Sequence, residues 1–151
     1  MVVRRAEPSD ADAIGRLLHD FNAEFREPTP PAAVIAGQMR DLLPGADTVV
    51  LLADPGPSGL AVMRFRPGIY GPAVESYLAE LYVVPDERGN GIGRALMETA
   101  LDLARAEGAE YMDLGTSEAD FAARALYESL GFSNRGGKPD GPLEYLYELE
   151  L

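Results

Sequence analysis

A glycine-rich segment past the middle of the chain has the composition of an anion-binding turn. Gly89, Gly91 and Gly93 fall within five residues, after an apolar β-branched stretch and before a pattern typical of a helix. Without a Cβ, the backbone N–H groups of such a loop can face a ligand at close range. The first turn of a helix adds N–H donors and a partial positive charge, and Arg88 and Arg94 add full charges. The segment therefore predicts a site for phosphate or pyrophosphate.

Spacing argues against the two commonest phosphate-binding loops. A Walker loop needs Gly-x-x-x-x-Gly-Lys-Ser/Thr, and the chain contains no such string. A dinucleotide fingerprint starting at Gly89 or at Gly91 would need Gly or Ala where the chain has Arg94 or Leu96. For the glycines taken alone, a tight strand-to-helix turn without any ligand remains the alternative interpretation.

Composition narrows the classes of partner. With 13 basic and 25 acidic residues the formal net charge is -12, which repels nucleic acid and anionic membranes and attracts cationic or amine-bearing molecules. The absence of cysteine excludes disulfides and thiolate chemistry, and the single His19 cannot build a metal site alone. The N-terminus lacks the apolar core of a signal peptide. We therefore expect a cytoplasmic protein with no metal, no nucleic-acid partner and no membrane association.

Hydrophobic periodicity predicts an α/β chain with four helices and about seven strands. A Ser9-Asp12 capping box opens the first helix, which runs to about Phe25. The other helices are predicted over residues 31–43, 93–107 and 119–130. Strands are predicted over residues 2–4, 48–53, 60–65, 76–84 and 111–114, from Phe132, and over 143–149. The order β-α-α-β-β-β-α-β-α-β-β indicates one domain, residues 1–151, with a mixed sheet and helices on its faces.

Two motifs give the chain a resemblance to a known family. Arg88-Gly89-Asn90-Gly91-Ile92-Gly93 matches Gln/Arg-x-x-Gly-x-Gly/Ala, the acetyl-coenzyme A motif of the GNAT superfamily of N-acetyltransferases. The string ALYESLGF from Ala125 to Phe132 is similar to the family's helix that carries a tyrosine. The resemblance extends over the whole chain and implies the GNAT fold, a central, mostly antiparallel sheet that is splayed between its central strands.

The resemblance assigns the donor site to two adjacent segments. It implies that the coenzyme A pyrophosphate binds backbone amides of the loop that Arg88 opens, namely Gly89, Asn90, Gly91, Ile92, Gly93 and Arg94. It also implies that the pantetheine arm and the acetyl carbonyl pair with the backbone of Leu81, Tyr82 and Val83. Pantetheine is a row of amides, and an exposed strand edge offers donors and acceptors at matching intervals.

Two catalytic roles follow from the resemblance. Tyr127 corresponds to the acid that protonates the departing thiolate, which is reasonable because a phenol and a thiolate have comparable pKa values. Glu80 is the candidate base, since it is the acid within the central strand. A water chain is the alternative base, because Gly115 stands where some relatives carry a glutamate. Asp120 stands near a position where many relatives have an asparagine that contacts coenzyme A, and the sequence leaves its role open.

The resemblance implies direct transfer of acetyl from acetyl-coenzyme A to a primary amine of a small molecule or peptide. A non-catalytic acetyl-coenzyme A sensor or regulatory protein is the alternative. The family's acetyl acceptor contacts correspond to residues 20–31, 66–74 and 134–142. Asp20, Glu24 and Glu27 in the first of these suit a cationic acceptor, and a solvated helix face is the alternative interpretation. Monomer and homodimer are both compatible with the sequence.

Overall fold

A computed structural model describes all 151 residues, which form two compact units, residues 1–114 and 115–151. The first unit contains five strands, β1 Val2–Arg5, β2 Thr48–Asp54, β3 Gly59–Pro67, β4 Val74–Val83 and β5 Ala109–Asp113. It also contains three helices, α1 Ala11–Glu24, α2 Ala32–Leu42 and α3 Ile92–Ala106. The second unit contains α4, Phe121–Ser129. The four predicted helices are confirmed, with ends shifted by up to two residues.

The sheet has the order β1-β2-β3-β4-β5 and mixed direction. The first three pairings are antiparallel, and β4 and β5 are parallel because α3 carries the chain back along the sheet between them. Strand β2 is buried from Thr48 through Ala53. A strand covered on both faces reads as a continuous apolar run, which explains why its sequence shows no alternation.

One face of the sheet is covered by α1 and α2. Ile14, Leu17 and Leu18 of α1 pack with a core that also contains Val50, Leu52, Leu60, Val62 and Tyr82 of the sheet. The two helices approach closely at Gly15, where an added Cβ would lie 2.4 Å from the carbonyl oxygen of Ala32. The glycine in the middle of α1 is therefore a packing requirement of this face.

The opposite face is covered by α3. Leu96, Met97, Ala100 and Ala104 are buried along one side of this helix. A Cβ on Gly59, at the start of β3, would lie 3.3 Å from Leu96 and 3.4 Å from Ile92. Since α3 starts at Ile92, within the glycine-rich segment, its packing on β3 fixes the position of that segment relative to the sheet.

The start of α1 differs in detail from the prediction. The reciprocal cap is formed two residues earlier, between Glu7 and Asp10, where the Asp10 side chain accepts from the backbone N–H of Glu7 at 2.8 Å. Asp10 also binds Arg4 of β1 through both carboxylate oxygens, at 2.8 and 2.9 Å. The Arg4 guanidinium lowers the pKa of Asp10 to about 2. Asp10 therefore caps the helix and also connects it to β1 through Arg4.

The prediction of two C-terminal strands was wrong, so the sheet has five strands rather than about seven. Residues 130–151, which include Phe132 and the 143–149 segment, contain no helix or strand. A backbone hydrogen bond from Glu144 N–H to Asn134 O, at 2.6 Å, joins the two segments. Alternation of apolar residues indicates a strand only where a neighbour completes a ladder, and one hydrogen bond is not a ladder.

Candidate active site

Strand β4 has an open edge over its second half. It pairs with β3 along its whole length, from Val74 to Val83, but β5 pairs with it only between Val74 and Tyr77. The β3 pairing also contains a bulge, because Val62 lies opposite Glu80 while Met63 lies opposite Leu78, which leaves Ala79 without a partner. Bulges bend a strand and increase its twist. The central strands therefore separate just before the residues that were predicted to hold the donor.

The backbone groups on this open edge follow from the hydrogen-bond pattern. The N–H of Val84 donates to Ser58 O at 2.9 Å, and alternate residues of an antiparallel pair exchange hydrogen bonds. Tyr82 and Glu80 consequently direct their N–H and C=O groups towards β3. Leu81 and Val83 direct theirs to the open edge, so two of the three predicted strand positions offer main-chain groups there.

The glycine-rich loop connects this edge to α3. Gly89 and Gly91 adopt φ values of 81° and 80°, in the left-handed region that favours glycine. Gly91 is the N-cap of α3, and the first backbone bond of the helix runs from Ala95 N–H to Gly91 O at 3.0 Å. An added Cβ at Gly89 or Gly91 would meet no atom within 4 Å. The space beside these two positions is therefore open, which leaves the helix N-terminus accessible to an anionic group.

Glu80 lies beside the open edge with a perturbed carboxyl group. It is opposite Val62 and two residues before Tyr82, and both of these lie in the core beneath α1 and α2, so its side chain shares that face. Burial raises the pKa of Glu80 above the ordinary glutamate value. A carboxylate destabilised in this way accepts a proton more readily than an exposed one, which suits a general base.

Arg88, the first residue of the glycine motif, is directed back onto the protein. Its Nε donates to Val83 O at 2.9 Å, and its two terminal nitrogens lie 2.8 Å from the two carboxylate oxygens of Glu24. Its guanidinium carbon lies 5.6 Å from the centre of the Tyr82 ring, and the Tyr82 hydroxyl donates to Glu24 at 3.3 Å. Arg94 lies 3.9 Å from Glu98 on the next turn of α3.

Glu24 has a role that sequence reasoning did not assign to it. The sequence indicates a contact for a cationic acetyl acceptor or a solvated helix face, and the acceptor contact stays a prediction. In the structure the Glu24 carboxylate binds Arg88, and its pKa is lowered mainly by that hydrogen bond. The two residues are 64 positions apart. No local pattern signals such a pair, because only the packing of α1 against β4 brings them together.

In the second unit, Tyr127 is buried on α4, and its ring packs edge-on against Phe132 at 5.9 Å between centroids. Asp120 is the N-cap of α4 and accepts from Ala123 N–H at 3.1 Å, which gives it a structural role. A Cβ at Gly115 would lie 2.7 Å from the Leu146 side chain, so this position does not admit a glutamate without movement of Leu146.

A cavity of about 590 Å³ lies at the other end of β4, lined mainly by residues 68–75 together with Gly108, Glu110 and Tyr111. The loop over residues 66–74 was predicted to contact the acetyl acceptor. Val74 lines this cavity and is nine residue steps from Val83 on the open edge, so the cavity and that end of the edge are separated by roughly 30 Å along the strand.

His19 is partly exposed, with its Nδ1 3.4 Å from Asp20. No cluster of three or more potential metal ligands is present. Each helix lacks the length and the hydrophobicity needed to cross a lipid bilayer.

Comparison with known proteins agrees with this geometry. A protein named "Uncharacterized N-acetyltransferase YhfO" from Bacillus subtilis (strain 168) is 28% identical over 139 residues, which are 91% of this chain and 93% of that protein. A crystal structure of a proposed acetyltransferase from Arthrobacter sp. FB24 has 41% identity and a TM-score of 0.89, and the match covers 100% of this chain and 96% of that one.

More distant structures share the fold. An aminoglycoside acetyltransferase from an uncultured soil metagenomic sample, solved in complex with sisomicin, has a TM-score of 0.76 at 18% identity, covering 99% of this chain and 96% of that one.

The sequence profile described as the Acetyltransferase (GNAT) family matches residues 14–132, a range that includes the open strand edge, the glycine loop and Tyr127. The chain therefore belongs to the GNAT family of acetyltransferases and is an acyltransferase.

Proposed function

We propose that this acetyltransferase takes acetyl from acetyl-coenzyme A and transfers it directly to a primary amine of a small molecule or peptide. The observation that carries the proposal is the continuity of the open β4 edge with the loop of left-handed glycines at the α3 N-terminus. The edge provides main-chain amide partners for an extended amide chain, and the loop provides N–H groups and a helix dipole for its pyrophosphate.

The donor would lie along these two segments in order. The main-chain groups of Leu81 and the N–H group of Val83 would pair with pantetheine, while the Val83 carbonyl stays with Arg88. The amides of residues 89–94 would hold the pyrophosphate. An N–H group on the β4 edge would also stabilise the oxyanion that forms when an amine attacks the thioester carbonyl. In this proposal the loop contributes mainly backbone, and the Arg88 side chain contributes through its contacts with Val83 and Glu24.

Glu80 is proposed as the general base. The attacking amine must lose a proton as its nitrogen bonds to the acetyl carbon, and the thiolate of coenzyme A leaves as the carbonyl re-forms. A carboxylate whose pKa is raised by burial is suited to take that proton, directly or through one water molecule. Tyr127 is proposed, from the family resemblance, as the acid that protonates the thiolate.

The first experiment measures donor binding by isothermal titration calorimetry with acetyl-coenzyme A and, as a comparison, NAD. Acetyl-coenzyme A should bind and NAD should not. An acceptor screen that follows coenzyme A release across polyamines, aminoglycosides and peptide amines then identifies the substrate class. Binding of NAD without binding of acetyl-coenzyme A would contradict the proposed function.

The role of Tyr127 is tested with Tyr127→Phe, which keeps the packing of the ring against Phe132 and removes the hydroxyl. We expect kcat to fall by about tenfold or more while the Kd for acetyl-coenzyme A stays within about twofold, because general-acid catalysis acts in the transition state. Steady-state kinetics with the best acceptor, together with calorimetry, measure the two effects. An unchanged kcat would assign Tyr127 to packing alone.

A further inference from the structure

The contacts of Arg88 pose an electrostatic question. A loop that binds a pyrophosphate gains from nearby positive charge, yet this chain places the carboxylate of Glu24 against the arginine that opens the loop. The Glu24 side chain is 28% exposed and the Arg88 side chain 43% exposed, so water screens the pair only in part. A carboxylate in this position weakens the long-range attraction of the loop for an anion. The presence of Glu24 beside the loop therefore needs a reason other than charge.

The Glu24–Arg88 pair holds the guanidinium in one fixed orientation. Both terminal nitrogens of Arg88 meet both oxygens of Glu24, an arrangement that fixes the plane of the guanidinium as well as its position. In that plane Nε reaches the carbonyl of Val83, and the guanidinium lies over the Tyr82 ring. The ring is itself stacked on Phe21 of α1, with centroids 4.9 Å apart. Helix α1, the end of β4 and the glycine loop are thus joined at one point.

We propose that Glu24 is a positioning residue for donor binding, which acts by holding Arg88 against the Val83 carbonyl and thereby fixes the glycine loop relative to the open edge of β4. The proposal rests on the proposed function, because it takes the loop to be the donor site. It assigns Arg88 an effect through loop geometry, in addition to any effect of its charge. Each of the three contacts lies within residues 1–114.

The sign of one substitution separates positioning from charge. Glu24→Ala removes a negative charge close to the loop, so a purely electrostatic role predicts tighter binding of the polyanionic donor. A positioning role predicts weaker binding, because Arg88 loses the carboxylate that holds it against Val83, and the glycine loop is then no longer fixed relative to β4. We expect the Kd for acetyl-coenzyme A to rise about tenfold, because a hydrogen bond to a charged group can favour the positioned loop by about that factor or more, and the donor must recover that conformation when it binds.

Asp12→Ala is the matched control. Asp12 lies on the same helix, pairs with Arg40 at 2.6 Å and is exposed, so this variant makes the same change in net charge and removes an ion pair away from the loop. Its Kd should stay within about twofold of the wild-type value. Glu24→Gln retains an oxygen for Arg88 and should give a Kd between those of the wild type and Glu24→Ala, which also covers the case in which the alanine variant fails to fold.

Amide hydrogen exchange of the ligand-free protein provides a readout that does not depend on the donor. Residues 83–94 should exchange faster in Glu24→Ala than in Asp12→Ala, at equal distance from the melting temperature of each variant. Unchanged exchange in this segment, or donor binding by Glu24→Ala equal to or tighter than that of the control, would overturn the positioning role. If wild-type protein does not bind acetyl-coenzyme A, the proposed function fails, while the exchange comparison still tests whether Glu24 holds the loop.

Discussion

At the scale of single residues, Gly91 meets a conformational requirement and, in the proposed function, a ligand-binding one. Its φ of 80° favours glycine, and it caps α3 where the loop faces open space. Because no protein atom lies within 4 Å of the position of its Cβ, the steric argument for glycine concerns a ligand and not the fold. The backbone conformation matters for both the fold and the ligand. A substitution at a second left-handed glycine, away from the loop, separates the effect on stability from the effect on ligand binding.

Gly91→Ala should lower the free energy of unfolding by about 1 kcal/mol, because alanine resists left-handed backbone. It should also weaken acetyl-coenzyme A binding by at least about tenfold, since the loop amides move or the methyl group occupies ligand space. Gly108→Ala is the control, since Gly108 follows the other end of α3, has a φ of 90° and also faces open space. It should cost similar stability in thermal unfolding and leave donor affinity unchanged in calorimetry. Equal donor affinity in both variants would indicate that the loop is a strand-to-helix turn that does not bind the donor.

Glu80→Gln should reduce kcat/KM by about a hundredfold or more if Glu80 is the general base. In the wild type, activity should fall with decreasing pH through a pKa above the ordinary glutamate value, because burial raises the pKa of this group. The variant should lack that limb of the pH profile. Kinetics from pH 4.5 to 8 measure both effects, and an unaltered profile would assign the proton transfer to water.

The same substitution has a defined effect on stability. A raised folded-state pKa means that ionised Glu80 opposes folding, so its contribution to stability is greatest at low pH and is lost as pH rises through the folded pKa. Glu80→Gln should therefore melt at a higher temperature than the wild type at pH 7, and the difference should disappear near pH 4. The opposite order at pH 7 would indicate that the carboxylate has a stabilising partner.

At the scale of elements, the α1/α2 pair shows how tertiary contact can override helix propensity. Gly15 lies in the interior of α1, where propensity alone favours alanine by about 1 kcal/mol. The crossing with α2 places the Ala32 carbonyl 2.4 Å from any Cβ at this position. The close approach of the two helices also sets where the C-terminal end of α1, with Phe21 and Glu24, meets Tyr82 of β4.

Gly15→Ala should lower the melting temperature despite the better helix former, because one of the two helices must shift away from the other. Overpacking of this kind costs about 1 to 3 kcal/mol. Gly37→Ala in α2 is the comparison, since a Cβ there meets nothing within 4 Å, and it should raise stability by about 0.5 to 1 kcal/mol. Thermal and urea unfolding of both variants provide the measurement, and stabilisation by Gly15→Ala would contradict the close crossing.

At the scale of the whole molecule, the net charge of -12 bears on both substrates. It would repel the proposed polyanionic donor at long range, so binding of that donor would rely on short-range contacts with the backbone N–H groups of the glycine loop. It attracts a cationic amine, which favours the association of a polyamine or an aminoglycoside over that of a neutral compound.

The KM for a polycationic acceptor should therefore rise several-fold as ionic strength increases from about 0.05 to 0.5 M, since salt shortens the range of the attraction. The KM for an acceptor with a single amine should change less, and kcat should change little for either. Initial-rate kinetics at fixed saturating acetyl-coenzyme A separate these cases. A KM that is independent of salt for every cationic acceptor would contradict a role for the overall charge in acceptor binding.

The sequence by itself determined the elements and the chemistry whose signals are local. The four helices follow from apolar spacing, and the glycine motif with its flanking strand and helix indicated both the loop geometry and the family. Such features are predictable because the residues that specify them are neighbours in the chain. The raised pKa of Glu80 could not be predicted in this way, since burial depends on what packs over a strand and not on the strand itself.

The tertiary structure alone decided how long-range partners were distributed. It left residues 130–151 without a strand because pairing requires a ladder with a neighbour, which an alternating pattern does not supply. It ended the β4–β5 pairing at Tyr77 and opened the edge that carries Leu81 and Val83. It also brought Glu24 to Arg88 across 64 positions, because the packing of α1 on the sheet sets which charges meet, and sequence distance carries no information about that packing.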